Sequence, residues 1–274
     1  ESNGSVSLKA LFDGETEIDN FSTLTIEQIA FAIVRGGWPA SIGESEKIAL
    51  RHAIDYVEAI INADVSRVDG IEKNPVRVRA LLRSLSRNIS TLATIRTIHD
   101  DIAMGDADES ISEKTISQYL GALDRIFVTE NLPAWNPALR SKTAIRTSPK
   151  RQFVDPSIAA AVMRLTPSRL LEDFNYFGFL FESLCDRDLR IYAEAIDGQV
   201  FHYRDGSGLE ADAVIALNDG RWAAVEVKLG SKEIEDAAVH LLELKNKVNT
   251  EKMREPSFLM ILTGTEIAYR REDG

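Results

Sequence analysis

Four charged residues, Glu210, Asp212, Glu226 and Lys228, stand inside two otherwise apolar, strand-like runs at 209–217 and 221–229. Burying an unpaired charge is costly, so each of them needs a partner. The loop between the runs, Asn218-Asp219-Gly220, allows two registers. A two-residue Asp219-Gly220 turn would pair Asp212 with Val227 and send Asp212 and Glu226 to opposite faces. A three-residue loop with Gly220 in the left-handed position pairs Asp212 with Glu226 and Glu210 with Lys228. Only the second register sorts the four charges onto one face. The other face then carries Ala211, Ala213, Ile215, Leu217, Ala223, Val225, Val227 and Leu229, and a one-residue slip would spoil both. The three-residue loop is the one expected.

Two carboxylates this close repel unless one is protonated or a cation lies between them. All-oxygen donors suit Mg²⁺, which keeps several of its waters. A lysine alongside can orient or help deprotonate a metal-bound water and meet negative charge developing on a phosphate. The chemistry expected of Asp212, Glu226 and Lys228 is therefore phosphodiester hydrolysis, with Glu210 as an accessory group. The plainer reading of the same residues is a structural cluster, Lys228 paired with Glu226 and Glu210, with no metal and no turnover.

The elements around the hairpin read as an α-β-β-β-α-β unit. A long helix over 168–195 precedes strands at "QVFHYRD", "LEADAVIAL" and "RWAAVEVKL"; a helix at "SKEIEDAAVHLLELKNKV" and a strand at "SFLMILT" follow. A hairpin plus a βαβ crossover implies a mixed sheet. Upstream, 25–88 reads as helices, one opening on Thr25 and closing on Gly36-Gly37, another opening on Asn74-Pro75. Residues 89–165 give a short helix, a polar turn, a second helix capped by Ser112 or Thr115, a strand-like "FVTENLPAW" and a basic loop. That is the order of a winged helix, which serves either DNA binding or protein docking. The stripe of Phe174, Phe177 and Phe181 is expected in the core, and Trp135 is expected to pack under the wing.

Bulk properties narrow the field. The 274 residues, 44% apolar and 27% charged, suffice for one large domain or two ordinary ones. No run of 18 apolar residues is present, so no membrane span is expected. One cysteine, no zinc-type Cys/His spacing and no visible signal peptide point to the cytoplasm. Net charge is −11, which argues against wholesale coating of nucleic acid. Yet 75–152 holds twelve Lys/Arg against eight Asp/Glu. Within it, Arg140, Lys142, Arg146, Lys150 and Arg151 form an acid-free patch, the candidate nucleic-acid contact. With no initiator Met, the chain is expected to be a fragment.

Asp212 followed by Glu226-Val227-Lys228 resembles the PD-(D/E)xK nuclease core, in which Asp comes from the second strand and Glu-x-Lys from the third. In many of its members the preceding helix donates another acid, and Glu182 in "FGFLFESL" stands where that acid would fall. The resemblance implies a restriction-endonuclease-like fold and a metal set of Asp212, Glu226 and Glu182. Over nearly the whole chain, "VRGGWP", "KRQFVDPSIAAAVM", "FGFLFESLCDRDL", "YRDGSGLEADAVI" and "AVEVKLG" resemble the C-terminal part of a large family of bacterial and archaeal AAA-type ATPases. The resemblance implies residues 1–24 as a linker after a missing ATPase core and 25–88 as a lid-like helical region. It further implies 89–165 as a winged helix-turn-helix and 166–274 as a nuclease-like domain. No G-x-x-x-x-G-K-[S/T] occurs here, so ATP would bind only in the full-length protein. The implied partners are DNA, the protein's own ATPase domain, or another protein docked on an inert module.

Overall fold

Local chemistry sets most element ends in the computed structural model, which describes residues 6–68, 73–105, 111–136, 148–248 and 253–272. Helix α1 (Leu8–Phe12) is followed by strand β1 (Asp19–Phe21). Helix α2 (Ile26–Arg35) closes on Gly36 at φ +78°, the left-handed residue that commonly ends a helix. A Cβ at Gly36 would run into Ser157 Oγ, Trp38 Nε1 and Asp155 Oδ1, so glycine is required there twice over. Helix α3 (Glu46–Ala59) continues through a π-helical turn, Ile60–Asp64, into the short α4 (Val65–Arg67). Helix α5 (Pro75–Arg87) opens as expected, with Asn74 Oδ1 accepting from Val76 N–H at 2.8 Å and Pro75 in the first turn.

Helices α6 (Ile95–Gly105) and α7 (Glu113–Arg125) follow, α7 capped by Ser112 Oγ. The face of α7 formed by Ile116, Tyr119, Leu120 and Leu123 is buried, each side chain contributing about 1.5–3 kcal/mol of apolar burial. After α7, residues 128–130 lie antiparallel to 152–154, joined by the Thr129–Phe153 bridge and the Val154 N–H to Val128 C=O bond at 3.1 Å. The expected strand over "FVTENLPAW" is not continuous. Its residues make only isolated bridges, at Thr129, Leu132 and Ala134, because the run changes partner and Pro133 has no N–H to give. Helix α8 (Pro156–Val162) is capped by Asp155.

The single long helix expected over 168–195 is two: α9 (Pro167–Leu171) and α10 (Phe174–Glu194). Asp173 makes the break, its Oδ1 taking the Tyr176 N–H at 3.0 Å as the start of a new helix. Phe177 and Phe181 are buried as expected, but Phe174 in the first turn of α10 is 59% exposed.

Two compact units are formed, and they are not consecutive along the chain. One comprises 27–131 and 148–184 and is helical; the other gathers residues up to 26, from 132 and from 185 onward. The second unit carries the sheet. Strands β2 (Gly198–Arg204), β3 (Glu210–Leu217) and β4 (Trp222–Lys228) pair antiparallel in order. Helix α11 (Ile234–Lys247) then crosses over so that β5 (Leu259–Thr263) pairs parallel with β4. The α-β-β-β-α-β order and the mixed sheet are those read from the sequence. Val214, Trp222, Ala224, Leu241 and Leu244 form the core between sheet and α11. Trp135 belongs to this core rather than packing under a wing, its ring 4.7 Å from that of Trp222.

The span expected as a linker carries two elements of its own, α1 and β1. In the sheet unit β1 pairs antiparallel with β6 (Ile267–Tyr269), Phe12 meets Phe258 edge to face at 5.0 Å, and Arg221 Nη1 donates to Phe12 C=O at 2.9 Å.

Candidate functional site

The hairpin adopts the charge-sorting register. Leu217 N–H donates to Arg221 C=O at 2.8 Å, Gly220 N–H donates to Leu217 C=O at 3.0 Å, and Gly220 has φ +86°. Ala213 stands opposite Val225, which places Asp212 opposite Glu226. The pairing of β2 with β3 slips between Phe201 and Tyr203: Phe201 faces Val214, whereas Tyr203 faces Ala211. Asp212 and Ala213 therefore share one partner position, His202. This is a β-bulge, which bends the strand and re-aims a side chain, and it falls on the residue of interest.

The bulge turns the Asp212 carboxylate into the sheet's own ladder. Val227 N–H donates to Asp212 Oδ2 at 2.8 Å, where a regular pair would offer it a backbone carbonyl. Lys228 Nζ bridges the two acids, 2.7 Å from Glu226 Oε2 and 3.3 Å from Asp212 Oδ2. Glu226 is only 2% exposed, and its Oε1 is buried without a hydrogen-bond partner. Asp212 and Lys228 are about a fifth exposed and form the rim above it. Burial pushes the Glu226 carboxyl up to about 7, the Asp212 charge adds to the push, and Lys228 opposes it. For Lys228, burial favours the neutral amine, but the two acids outweigh it and hold the ammonium charged. The site is a floor acid that titrates near neutrality, a clamped rim acid and a fixed cation.

Glu210 does not join them. It is exposed and pairs with Arg204 of β2, Nη1 to Oε2 at 3.3 Å. The sequence signal for that pairing was available: Arg204 and Glu210 flank the "DGSGL" turn symmetrically, and the Asp205 N–H to Leu209 C=O bond of 3.0 Å closes it. Glu182 lies on α10 in the helical unit, where its Oε1 accepts from Lys150 Nζ at 2.6 Å. Both are largely buried. Among the described residues, no group of three or more His, Cys, Asp or Glu is placed to hold a metal ion.

Lys150 and Arg151, two of the five basic residues assigned to a nucleic-acid surface, point inward. Lys150 is 4% exposed, and Arg151 is 7% exposed with Nε donating to Ala93 C=O at 2.9 Å. The backbone of Arg151 is bonded on both sides, N–H to Thr91 C=O and C=O from Ser90 N–H, each at 2.8 Å. Their burial follows from lying on the segment between 90–93 and 128–131, which a count of charges does not reveal. Arg140, Lys142 and Arg146 lie outside the described residues.

Sequence reasoning missed three positioning features: the bulge, the Val227 N–H on Asp212, and the bonds of Gly37 N–H and Trp38 Nε1 to Asp155 and Ser157 (both 2.9 Å). Asp155-Pro156 is a helix-start signature, so part of the last was visible in advance.

Two family models match the chain, both of domains of unknown function: DUF8612 over residues 26–169 and DUF4143 over residues 177–274. DUF4143 is a domain typically found in AAA-ATPase-associated proteins. No curated protein and no solved structure matches the chain. The first match covers more than half of the residues, and the chain belongs to the DUF8612 family.

Proposed function

We propose that this DUF8612-family chain is the DNA-handling end of an AAA-type ATPase, with a Mg²⁺-dependent, PD-(D/E)xK-like centre for phosphodiester hydrolysis at Asp212, Glu226 and Lys228. One observation carries the reading: two acids share a single ammonium at a bulge, and the buried Glu226 Oε1 has no donor. That orphaned acceptor fits a hard cation, whose ligands are oxygens. Asp212 and Glu226 would hold it. Bound there, Mg²⁺ would polarise a phosphate oxygen and acidify a water. Val227 N–H keeps Asp212 aimed while Lys228, no longer bridging, presents its charge to the phosphate. A part for Glu182 would require it to leave its buried pair with Lys150. DNA contact through the wing rests on Arg140, Lys142 and Arg146.

A second reading, an inert regulatory or docking module, has its own support. Lys228 already sits where a cation would lie, and two acids are fewer ligands than most sites supply. Titration calorimetry with Mg²⁺ and Mn²⁺, on this chain and on Asp212→Ala, separates the two. Heat in the parent that the variant loses, and that strengthens from about pH 6 to about pH 8 as Glu226 ionises, supports a cation site. DNA cleavage by the parent with the same ion then establishes turnover. No heat in either protein sinks the hydrolytic reading and leaves the docking one.

A further inference from the structure

The four-stranded sheet treats its two edges differently. The outer edge of β2 is covered: His202 N–H donates to Pro133 C=O at 3.0 Å, and Trp135 N–H donates to His202 C=O at 2.7 Å. Pro133, which has no N–H, helps to close that edge. At the other edge, β5 pairs with β4, and none of its backbone groups bonds to any other described residue. An open row of N–H and C=O groups is a template for another strand. The usual guards are missing here, since Leu259-Met260-Ile261-Leu262-Thr263 holds no Lys and no Pro.

A second apolar feature follows within four residues. In the β1–β6 ribbon, Phe21 stands opposite Ile267, and Tyr269 lies two residues along the same face. These side chains are 56%, 61% and 54% exposed. Pairing over five residues alone falls short of the roughly 1,200 Å² that a stable complex buries, and the ribbon face supplies more apolar area beside it.

We propose that a second copy of this chain docks here, β5 against β5, antiparallel about a two-fold axis at Met260, so that two four-stranded sheets become one of eight. Charge favours a second copy over a foreign strand. The approach to β5 exposes Arg254, and its exit exposes Glu266. The register about Met260 sets the Arg254 flank of each copy beside the Glu266 flank of the other, twice over. Glu255 falls opposite Thr265, so no like charges meet, and the strand between is apolar. An interface that uses one patch twice closes on itself, as homodimers do.

Sedimentation velocity from low to high micromolar concentration, with hydrogen exchange on the same samples, tests this without a destabilising variant. The expected result is a monomer–dimer equilibrium in which the β5 amides gain protection as dimer forms. Arg254→Glu and Glu266→Arg should each weaken dimerisation about ten-fold, and the two combined should restore it. A monomer throughout overturns the proposal, as does a dimer with unprotected β5 amides or one indifferent to both charge reversals. Protection gained only on adding an extended peptide would overturn the second copy as the occupant.

Discussion

Two clusters of buried charge differ in how many carboxylates lie against one ammonium. In the helical unit Lys150 meets Glu182 at 2.6 Å, and its neighbours Arg151 and Gln152 bond to Ala93 C=O and Ser90 Oγ. In the sheet unit Asp212 and Glu226 share Lys228, and Glu226 Oε1 is left over. The buried Lys150–Glu182 bond reads as structural, since a ligand at either group would have to break it. An acid in surplus is an invitation to a proton or a cation. Burial alone does not distinguish a working site from a strut; two carboxylates on one ammonium, with a buried acid oxygen beside them, do.

Lys150→Met should produce the largest effect, about 3–5 kcal/mol of lost stability, because it removes the buried ammonium from which Glu182 Oε1 accepts. Denaturant unfolding measures it, and a loss under 1 kcal/mol would show that this pair is no strut. The same deletion in the other cluster, Lys228→Met, should cost less at pH 5, about 1–2 kcal/mol. There Glu226 can take up a proton instead of standing as an unpaired charge. Its cost should grow by pH 8, and equal costs at both pH values would erase the contrast between the clusters.

Glu226 also gives the parent a pH slope of definite sign. Its folded pKa, about 7, lies above the ordinary value of 4.5, so between those values the folded chain holds a proton that the unfolded chain has released. Stability from this group is therefore full below about pH 4.5 and falls as pH rises through 7, by about 1–3 kcal/mol. Glu226→Gln should flatten the slope and be the more stable protein at pH 8. A parent that gains stability from pH 5 to pH 8 relative to the variant would reverse the argument.

The smallest expected effect is on binding, read from Arg140→Ala, Lys142→Ala and Arg146→Ala by the salt dependence of DNA affinity. If they contact DNA, each should lower the slope of binding against salt by about 1. Lys150→Met, by contrast, should act on DNA only through unfolding.

The hairpin register was legible because polar and apolar residues alternate over two adjacent runs, and only one pairing separates them. The α-β-β-β-α-β order followed from the same periodicity. What failed to show in the sequence was long-range or one residue wide. β1 and β6 are three residues each and nearly the whole chain apart, so neither has a pattern of its own. The bulge at Asp212 interrupts an alternation that looks regular when only β3 and β4 are considered, and it becomes visible only against β2. Lys150 and Arg151 read as surface charge because charge counting ignores the flanking segments that enclose them. Glu182 kept its helix but met Lys150, a partner 32 residues away that no local pattern indicates.

The β1–β6 ribbon has a mechanical consequence. Asp19 stands opposite Tyr269 and Phe21 opposite Ile267, so β1 enters the ribbon at the end where β6 leaves it. Tension applied between residues 19 and 269 would load the pairs one after another, peeling the ribbon open from Asp19 and Tyr269 instead of shearing all three pairs at once. Such a fastening yields to a small pull between those two residues, and the four-stranded sheet stays unloaded until it has given way.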